Sequence, residues 1–540
     1  MVPTTRGTAA LCLVSLGCVA SPSGPGFTQV GPAGSRDACG VQVAPQGDAA
    51  LVLSPLEDGS VDVSWGYSRG GQTVPVGTLP AWEFVHAVPL LGFPDGSQAW
   101  VRVSRPDCSA TVDFPIRFDH APLVPDWTST QDAGLDLAAR ITIVPVATVE
   151  GAGFLALDQV GQIVWQLLLG TTVASGASGD PTSFGTIRRA RINDGRLTWM
   201  VETDHVADRC RFRSVLVGVP EPGADAEEVE LDTTCHHDWA WTPAGEVVFP
   251  SWDEDSFAEE GLLIDRISRA DLVTGEVTGL MDLADHVDVS QQDIATMQAV
   301  QATIGGAASS DTTRDLTYVN GGTSDRLADG GYATSWLVNL AEEGIARVVV
   351  DATGTVRFQR MITDDPSRSD YRIDTGGVVD HLLAAPHGLG CVPGGDKRQE
   401  CVVFDRNFTF PSFDPQVGCS TLARFTLDDQ AQAVTVRWST AILDGAGDCV
   451  PSTVHGNANT TTRADGRPLH TVLATGDCSL TQAATHDWSP QLATLDDDGT
   501  VLARLELEAG RDDVQILGFM SGPYAPGEIA TGLVPGVDAR

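Results

Sequence analysis

A chain of 540 residues with 42% hydrophobic residues exceeds what one ordinary core holds, so several domains or one large repeat array is expected. Its 72 acidic residues against 33 basic ones give a net charge of -39. Nucleic acid is excluded as a partner, because phosphate binding needs a basic stripe, and the acidic residues, spread over turns and loops, read as a solvated surface.

The first segment carries Arg6, an apolar stretch from about Thr8 to Gly17, and then Cys18 followed by Ser, Pro and Gly. This is an export signal over 1–17 with a flexible linker over 18–38, too short for a transmembrane span. Leu16-Gly17-Cys18 resembles the end of a bacterial lipoprotein signal, which would lipidate Cys18; Ser15 departs from that pattern, and cleavage after Ala20 is the rival reading. The remaining chain is expected outside the cytoplasm, in the periplasm or at the outer membrane or cell surface, touching a membrane only through that anchor.

Residues 39–123 contain alternating strands, Ala50-Leu-Val-Leu53, Gly59-Ser-Val-Asp-Val-Ser-Trp65 and Gln98-Ala-Trp-Val-Arg-Val-Ser104, that suit a small β-sandwich of the fibronectin III or immunoglobulin kind. A linker near Pro122 to Asp132 follows. From 133 to 540 short β-branched runs alternate with Gly and Pro, which predicts an all-β architecture, and six strand groups can be counted: about 139–170, 183–231, 234–283, 314–364, 385–440 and 453–507. Three of them end in an apolar strand, Asp, Gly and another apolar strand, a hairpin; Asp496-Asp497-Asp498-Gly499 belongs to this set rather than to a calcium loop. Six such groups predict a six-bladed β-propeller, in which radial closure leaves few exposed edges. Val289 to Thr303 is the best helix candidate.

Within these groups one phrase recurs: Cys235-His236-His237-Asp238, with Pro243 and Gly245 after it; Tyr318-Val319-Asn320; His387-Gly388, with Phe404-Asp405 after it; and His455-Gly456-Asn457. From His237 to Tyr318, His387 and His455 the intervals are 81, 69 and 68 residues. Residues heading equivalent strands of a propeller meet at one mouth of its channel, so these heads are expected to converge.

The phrase at His236-His237-Asp238, the segment Asp315-Leu-Thr-Tyr318-Val-Asn320, His387 with Phe404-Asp405, and Gly456-Asn457 resemble successive blade motifs of bacterial arylsulfotransferases. The resemblance covers about 230–480 by motif and the whole chain by domain order. It implies a propeller behind an N-terminal β-sandwich and transfer of a sulfuryl group from a phenolic sulfate to a phenol through a sulfohistidine, without a nucleotide donor or other cofactor. It implies His387 as nucleophile, His237, with His236 as the second choice, as the histidine that contacts the transferring group or moves the phenolic proton, and Asn320 as a hydrogen-bond donor; His236, His455 and Asn457 read as further binding residues, Tyr318 as a substitute donor, and Arg406, or Arg314 or Arg326, as a substitute cation. The chain departs from the family at Tyr318, where a histidine is usual, and at Tyr332-Ala-Thr-Ser-Trp336, where an arginine is usual.

Two other readings stay open: a catalytically silent propeller that binds an anionic or aromatic ligand or a protein, and a metal site built by His236, His237, His387 and His455. His286, His381 and His470 lack the repeated context and read as surface or packing residues. His486-Asp487-Trp488 echoes His237-Asp238-Trp239 too briefly to be placed with the heads. Arg188-Arg189-Ala-Arg191 reads as a strand face or a rim that attracts an anionic donor.

Of 11 cysteines, close spacings invite bridges at Cys391–Cys401, Cys210–Cys235 and Cys39–Cys108, whereas Cys419, Cys449 and Cys478 leave one over. No Cys-x-x-Cys pair suggests structural zinc.

Overall fold

The computed structural model describes residues 42–531 apart from 47–48, 54–59, 84–87, 119–126, 132–136, 138, 149–150, 171–186, 194, 203–207, 218–226, 253–262, 288–294, 296–314, 316, 340–343, 384–385, 395–396, 406–407, 410–413, 416–418, 444–446, 451–455, 464, 475–490, 508–513 and 517–519. The export signal, Cys18, Arg406, His455, His486 and nearly all of the helix candidate therefore lie outside the described residues.

The N-terminal strands form two sheets. Gln42–Gln46, Ala49–Leu53 and Val88–Leu90 make one; Gln72–Glu83, Ser60–Arg69, Gln98–Arg105 and Cys108–Pro115, in that spatial order, make the other. Alternation decides which side chains go inside: Ala99, Val101 and Val103 join Val43, Val61, Val63, Trp65 and Leu90 in one apolar core, and Arg102 between them is exposed. The Trp65 indole N–H donates to the Leu91 carbonyl at 2.9 Å, satisfying a polar atom that burial would otherwise leave unpaired.

From Thr128 onward the chain folds into small antiparallel sheets in which consecutive strands are neighbours. The first holds Ile141–Thr148, Gly151–Asp158 and Ile163–Gly170. The second runs from Ile187–Asn193 through Arg196–Val201 and Cys210–Leu216 to Glu227–Leu231. The third comprises Ala240–Trp241, Val247–Ser251, Arg266–Ala270 and Val277–Asp282, and the fourth Gly322–Arg326, Tyr332–Val338, Gly344–Val350 and Val356–Thr363. In the fifth, Pro386–Pro393, Arg398–Asp405, Thr421–Asp428 and Ala433–Ala441 gain Arg372–Asp374 as a parallel edge strand. The sixth holds Gly456–Thr462, Pro468–Ala474, Gln491–Leu495 and Val501–Glu506.

Closure comes from both chain ends. Thr128–Gln131, which precedes the first sheet, pairs with Val501–Glu506 of the sixth, and Val514–Ile516 and Ser521–Tyr524, which follow the sixth, pair with Ile141–Thr148 of the first. Apolar clusters fill each gap between consecutive sheets. Trp199 meets Phe154 between the first and second, Met200 and Phe212 meet Val247 and Phe249 between the second and third, and Ile267 meets Trp336 and Val348 between the third and fourth. Ile345 meets Val403 and Phe425, Phe404 meets Val472, and Leu492 and Leu505 meet Leu155 and Leu157, the last filling the gap between the sixth sheet and the first. The fold is all-β and propeller-like. Covering on both faces explains why Tyr332–Val338 and Gly344–Val350 are buried along their whole length instead of alternating.

Asp-Gly hairpins join the outer strands. Asp351 accepts backbone N–H bonds from Thr353 and Thr355 while Gly354 takes φ 83°; in the turn with Gly499 at φ 86°, Asp496 accepts the Asp498 N–H and Asp498 that of Thr500. Disulfides join Cys210 to Cys235 and Cys391 to Cys401, as the spacing suggested, and Cys419 to Cys449; Cys108 is also bridged. Such bridges indicate an oxidising, exported compartment. Among the described residues no helix is long and apolar enough to cross a membrane.

One buried polar node ties the fourth sheet to the fifth. Arg347, fully buried, donates to both carboxylate oxygens of Asp429 at 2.6 Å, to Ser335 at 2.7 Å and to Gln399 at 2.6 Å, while Tyr371 donates to Asp429 at 2.7 Å. Replacing Arg347 by Met strands a buried carboxylate and should destabilise the chain by roughly 3–5 kcal/mol. Arg357→Met, which removes an exposed pair with Asp329, should cost under about 1 kcal/mol. Urea denaturation of both variants checks this, and equal midpoints would contradict it.

Candidate functional site

The recurring heads lie at the starts of the innermost strands, and their glycines explain the phrase. A Cβ on Gly388 would sit 2.3 Å from Asn457 Oδ1, and one on Gly321 would sit 3.0 Å from the His387 carbonyl oxygen. The first strands of the fourth, fifth and sixth sheets touch backbone to backbone at this level, which only glycine permits. Asn320, His387 and Asn457 are thereby brought side by side on adjacent strands, all buried.

His387 Nδ1 lies 2.5 Å from the Gly456 carbonyl oxygen. A carbonyl only accepts, so Nδ1 carries the proton, and the tautomer of the neutral ring that this bond selects has its lone pair on Nε2. Gly456 adopts φ 151°, and a Cβ there would collide with the Phe404 ring, so this carbonyl also owes its position to a glycine. Both amide atoms of Asn320 and the Oδ1 of Asn457 are buried without a hydrogen-bond partner among the described residues. Buried amides of this kind are satisfied by ordered water or by a ligand.

The other heads belong to a buried network of ionisable groups. His237 has φ 61° and Tyr318 φ 45°, left-handed conformations that cost a bulky residue and persist only when the surroundings impose them. The Glu202 carboxylate accepts the His237 backbone N–H at 3.0 Å and lies 3.3 Å from its Nδ1. His237 Nδ1 is 2.7 Å from His236 Nδ1, and His236 Nε2 is 2.5 Å from Asp265 Oδ1. The His236 ring stacks on Trp252 with centroids 4.3 Å apart. Asp265 Oδ2 accepts from the Thr317 hydroxyl at 2.9 Å and the Val319 N–H at 2.8 Å. Asp315 Oδ1 accepts the N–H groups of Thr317 at 3.1 Å and Tyr318 at 2.8 Å. These bonds hold Thr317, Tyr318 and Val319 so that the Tyr318 ring lies edge-on to His237, 4.6 Å between centroids.

Burial disfavours charge on His236, but Asp265, Asp315 and Glu202 together outweigh it and raise its affinity for a proton. Burial first, and then the Asp265 charge, pushes the Asp315 carboxyl well above the usual carboxylate range.

His237 and Tyr318 therefore meet in ring contact, and Asn320, His387 and Asn457 meet along the inner strands. Arg189 is not a rim residue: it is fully buried on Asp238 at 2.7 Å, and Asp238 also accepts the Gly322 N–H at 2.9 Å, so this pair clamps the second, third and fourth sheets together. The guanidinium absent from the Tyr332–Trp336 strand is thus not supplied by Arg189, whose charge is already matched. Glu202 and Asp265 were missed by sequence reasoning; they stand outside the repeated phrase, and no spacing rule marks them. Asp315 and Thr317 do fall within the Tyr318 segment, but nothing local shows that their side chains turn back on it.

His470 behaves as a packing residue. It is buried, with Nδ1 3.1 Å from Thr460 Oγ1 and its ring 5.8 Å from Trp438. Burial, and then Arg424, pushes it down to about 3. Unfolded, the group titrates near 6.5, so between these values the unfolded chain binds the extra proton. Its contribution is complete above about pH 6.5 and is lost as pH falls toward about 3, by up to ~1.4 kcal/mol per pH unit. His470→Asn should flatten the acid limb of the denaturation midpoint against pH; identical limbs in variant and wild type would refute the assignment.

No protein-family model matches the chain, and no curated protein matches it. Among solved structures it is similar to a luciferin-regenerating enzyme, at TM-score 0.35 and 12% identity over 74% of this chain and 95% of that one. It is also similar to the Synechocystis apocarotenoid oxygenase, at TM-score 0.34 and 10% identity over 89% and 94%. A quinonprotein alcohol dehydrogenase-like protein from Bacteroides thetaiotaomicron follows, at TM-score 0.27 and 10% identity over 89% and 95%. Likenesses this distant carry no residue or activity across.

Proposed function

We propose that the protein is an exported sulfuryl transferase of the arylsulfotransferase kind, built as a six-bladed propeller behind an N-terminal β-sandwich and held at the envelope through Cys18. The observation that carries the reading is the bond from His387 Nδ1 to the Gly456 carbonyl, since it leaves the lone pair of a neutral imidazole on Nε2, the form that attacks sulfur.

In the first step His387 Nε2 forms an N–S bond as the S–O bond to the aryl oxygen breaks, and the departing phenolate takes a proton from His237 or Tyr318. In the second, an acceptor phenol gives that proton back while its oxygen attacks sulfur, the N–S bond breaks, and the neutral imidazole is restored. Asn320, whose buried side-chain amide N–H groups lack partners among the described residues, suits donation to a sulfuryl oxygen, whereas the open atom of Asn457, Oδ1, accepts and suits the hydroxyl of the acceptor phenol. Tyr318 supplies a phenolic O–H where the family has an imidazole, so stabilisation of the developing charge rests on neutral donors and on His237. His455 and Arg406 remain binding residues of the proposal.

A second reading, binding of an aryl sulfate or other aromatic anion without turnover, draws on the commitment of Arg189 to Asp238. Wild-type protein should turn over 4-nitrophenyl sulfate continuously only when an acceptor phenol is present, releasing at most about one equivalent of 4-nitrophenol per chain without it. His387→Ala should lower that rate by on the order of 10³-fold or more. Mass spectrometry should find a sulfuryl group on His387 when the acceptor is withheld. Saturable binding of the sulfate with no product formed would favour the second reading.

A further inference from the structure

We propose that His236, Asp265 and Asp315 bind a divalent transition-metal ion. One ligand atom from each lies within 4.8 Å of the others, and all three side chains are fully buried.

The orientation of the carboxylates carries the assignment. Asp265 Oδ2 is occupied by the Thr317 hydroxyl and the Val319 N–H, and Asp315 Oδ1 by the Thr317 and Tyr318 N–H groups. Outer bonds of this kind fix which oxygen faces inward. The remaining oxygens both face one nitrogen: Asp265 Oδ1 lies 2.5 Å and Asp315 Oδ2 3.9 Å from His236 Nε2. Asp315 Oδ2 is buried and has no hydrogen-bond partner among the described residues. An ion bonded to nitrogen and oxygen at about 2.1 Å spans a gap of up to about 4.2 Å, so the space between His236 and Asp315 admits one. The ion would replace the proton shared by His236 and Asp265, and those two atoms would separate by about 1 Å to coordinate it.

Charge points the same way. With Glu202 the cluster places three buried carboxylates around two imidazoles, and buried negative charge is costly unless matched. One imidazole nitrogen with two carboxylate oxygens suits zinc, manganese or ferrous iron; calcium and magnesium prefer oxygen alone. Three protein donors are also the number found where a coordination position stays open. The site differs from one made of the histidine heads, because His387 belongs to the adjacent inner-strand group.

A metal on Nε2 leaves Nδ1 as the only nitrogen of His236 that can hold a proton. That proton would be donated to His237 Nδ1, so His237 would keep its own proton on Nε2. The metal site does not rest on the sulfuryl-transfer reading, but it would fix the tautomer that reading uses.

The test is elemental analysis of the full chain, exported, purified without a histidine tag and dialysed, followed by calorimetric titration of chelator-treated protein with zinc, manganese and ferrous salts. About one ion per chain is expected. Asp315→Asn keeps the acceptor for the turn but removes the inward anionic oxygen, and should weaken binding by about 100-fold or more while circular dichroism stays that of wild type. X-ray absorption of the wild-type metal should show one imidazole nitrogen among oxygen donors, which decides the matter even where the variant fails to fold. Absence of metal with no calorimetric response, a shell of several imidazoles or of sulfur, or undiminished affinity in folded Asp315→Asn overturns the proposal. Product formation from an aryl sulfate is a separate readout, so either reading can fail alone.

Discussion

The cost of burying ionisable groups governs this site. Glu202, His237, His236, Asp265 and Asp315 are all removed from water, and each must find a partner within the cluster. Their solution is a continuous run of close contacts from Glu202 through both histidines to Asp265, with Thr317 joining Asp265 to Asp315. The left-handed backbones of His237 and Tyr318 are held within it, because Glu202 and Asp315 accept their N–H groups. The strain stored at these two residues is balanced by the network, and the network exists only where the second, third and fourth sheets come together.

The inner strands of the fourth, fifth and sixth sheets obey a different constraint, close approach of backbones. Gly321, Gly388 and Gly456 let neighbouring strands touch, and the contact turns the Gly456 carbonyl onto His387. Two separate pieces of physics, charge compensation on one side of the ring of sheets and backbone packing on the other, thus supply two groups of polar side chains at the strand heads. Sulfuryl transfer requires that both groups serve one ligand.

Much of the strand framework was legible because its signals are local. Period-two alternation at Gln98–Arg105, the Asp-Gly turns after Val350 and Leu495, and the short Cys210–Cys235 and Cys391–Cys401 spacings each report on neighbouring residues. The phrase around His387 was legible too, since a glycine beside a head residue records a steric demand. What escaped was long-range pairing. Glu202 is 35 residues from His237 and Asp265 is 29 from His236, with no motif linking them, and Arg189, which read as part of a strand face or a rim, pairs with Asp238 49 residues away. Such partners are chosen by the stacking of one sheet on the next, and a single sequence does not display that stacking. The left-handed turn at Tyr318, wound on Asp315, was not visible either, because nothing in the local sequence shows that the Asp315 carboxylate turns back on it.

The central claim is that the buried network aims His237 and Tyr318 at the ligand that His387 attacks. A crystal structure of His387→Asn with 4-nitrophenyl sulfate bound tests it most directly. The account predicts the sulfur beside residue 387 and the ester oxygen within about 3 Å of His237 or Tyr318, with Asn320 on a sulfuryl oxygen. A sulfate bound away from these strand heads, or a His237 ring turned off His236 and out of reach of the ester oxygen, would contradict it.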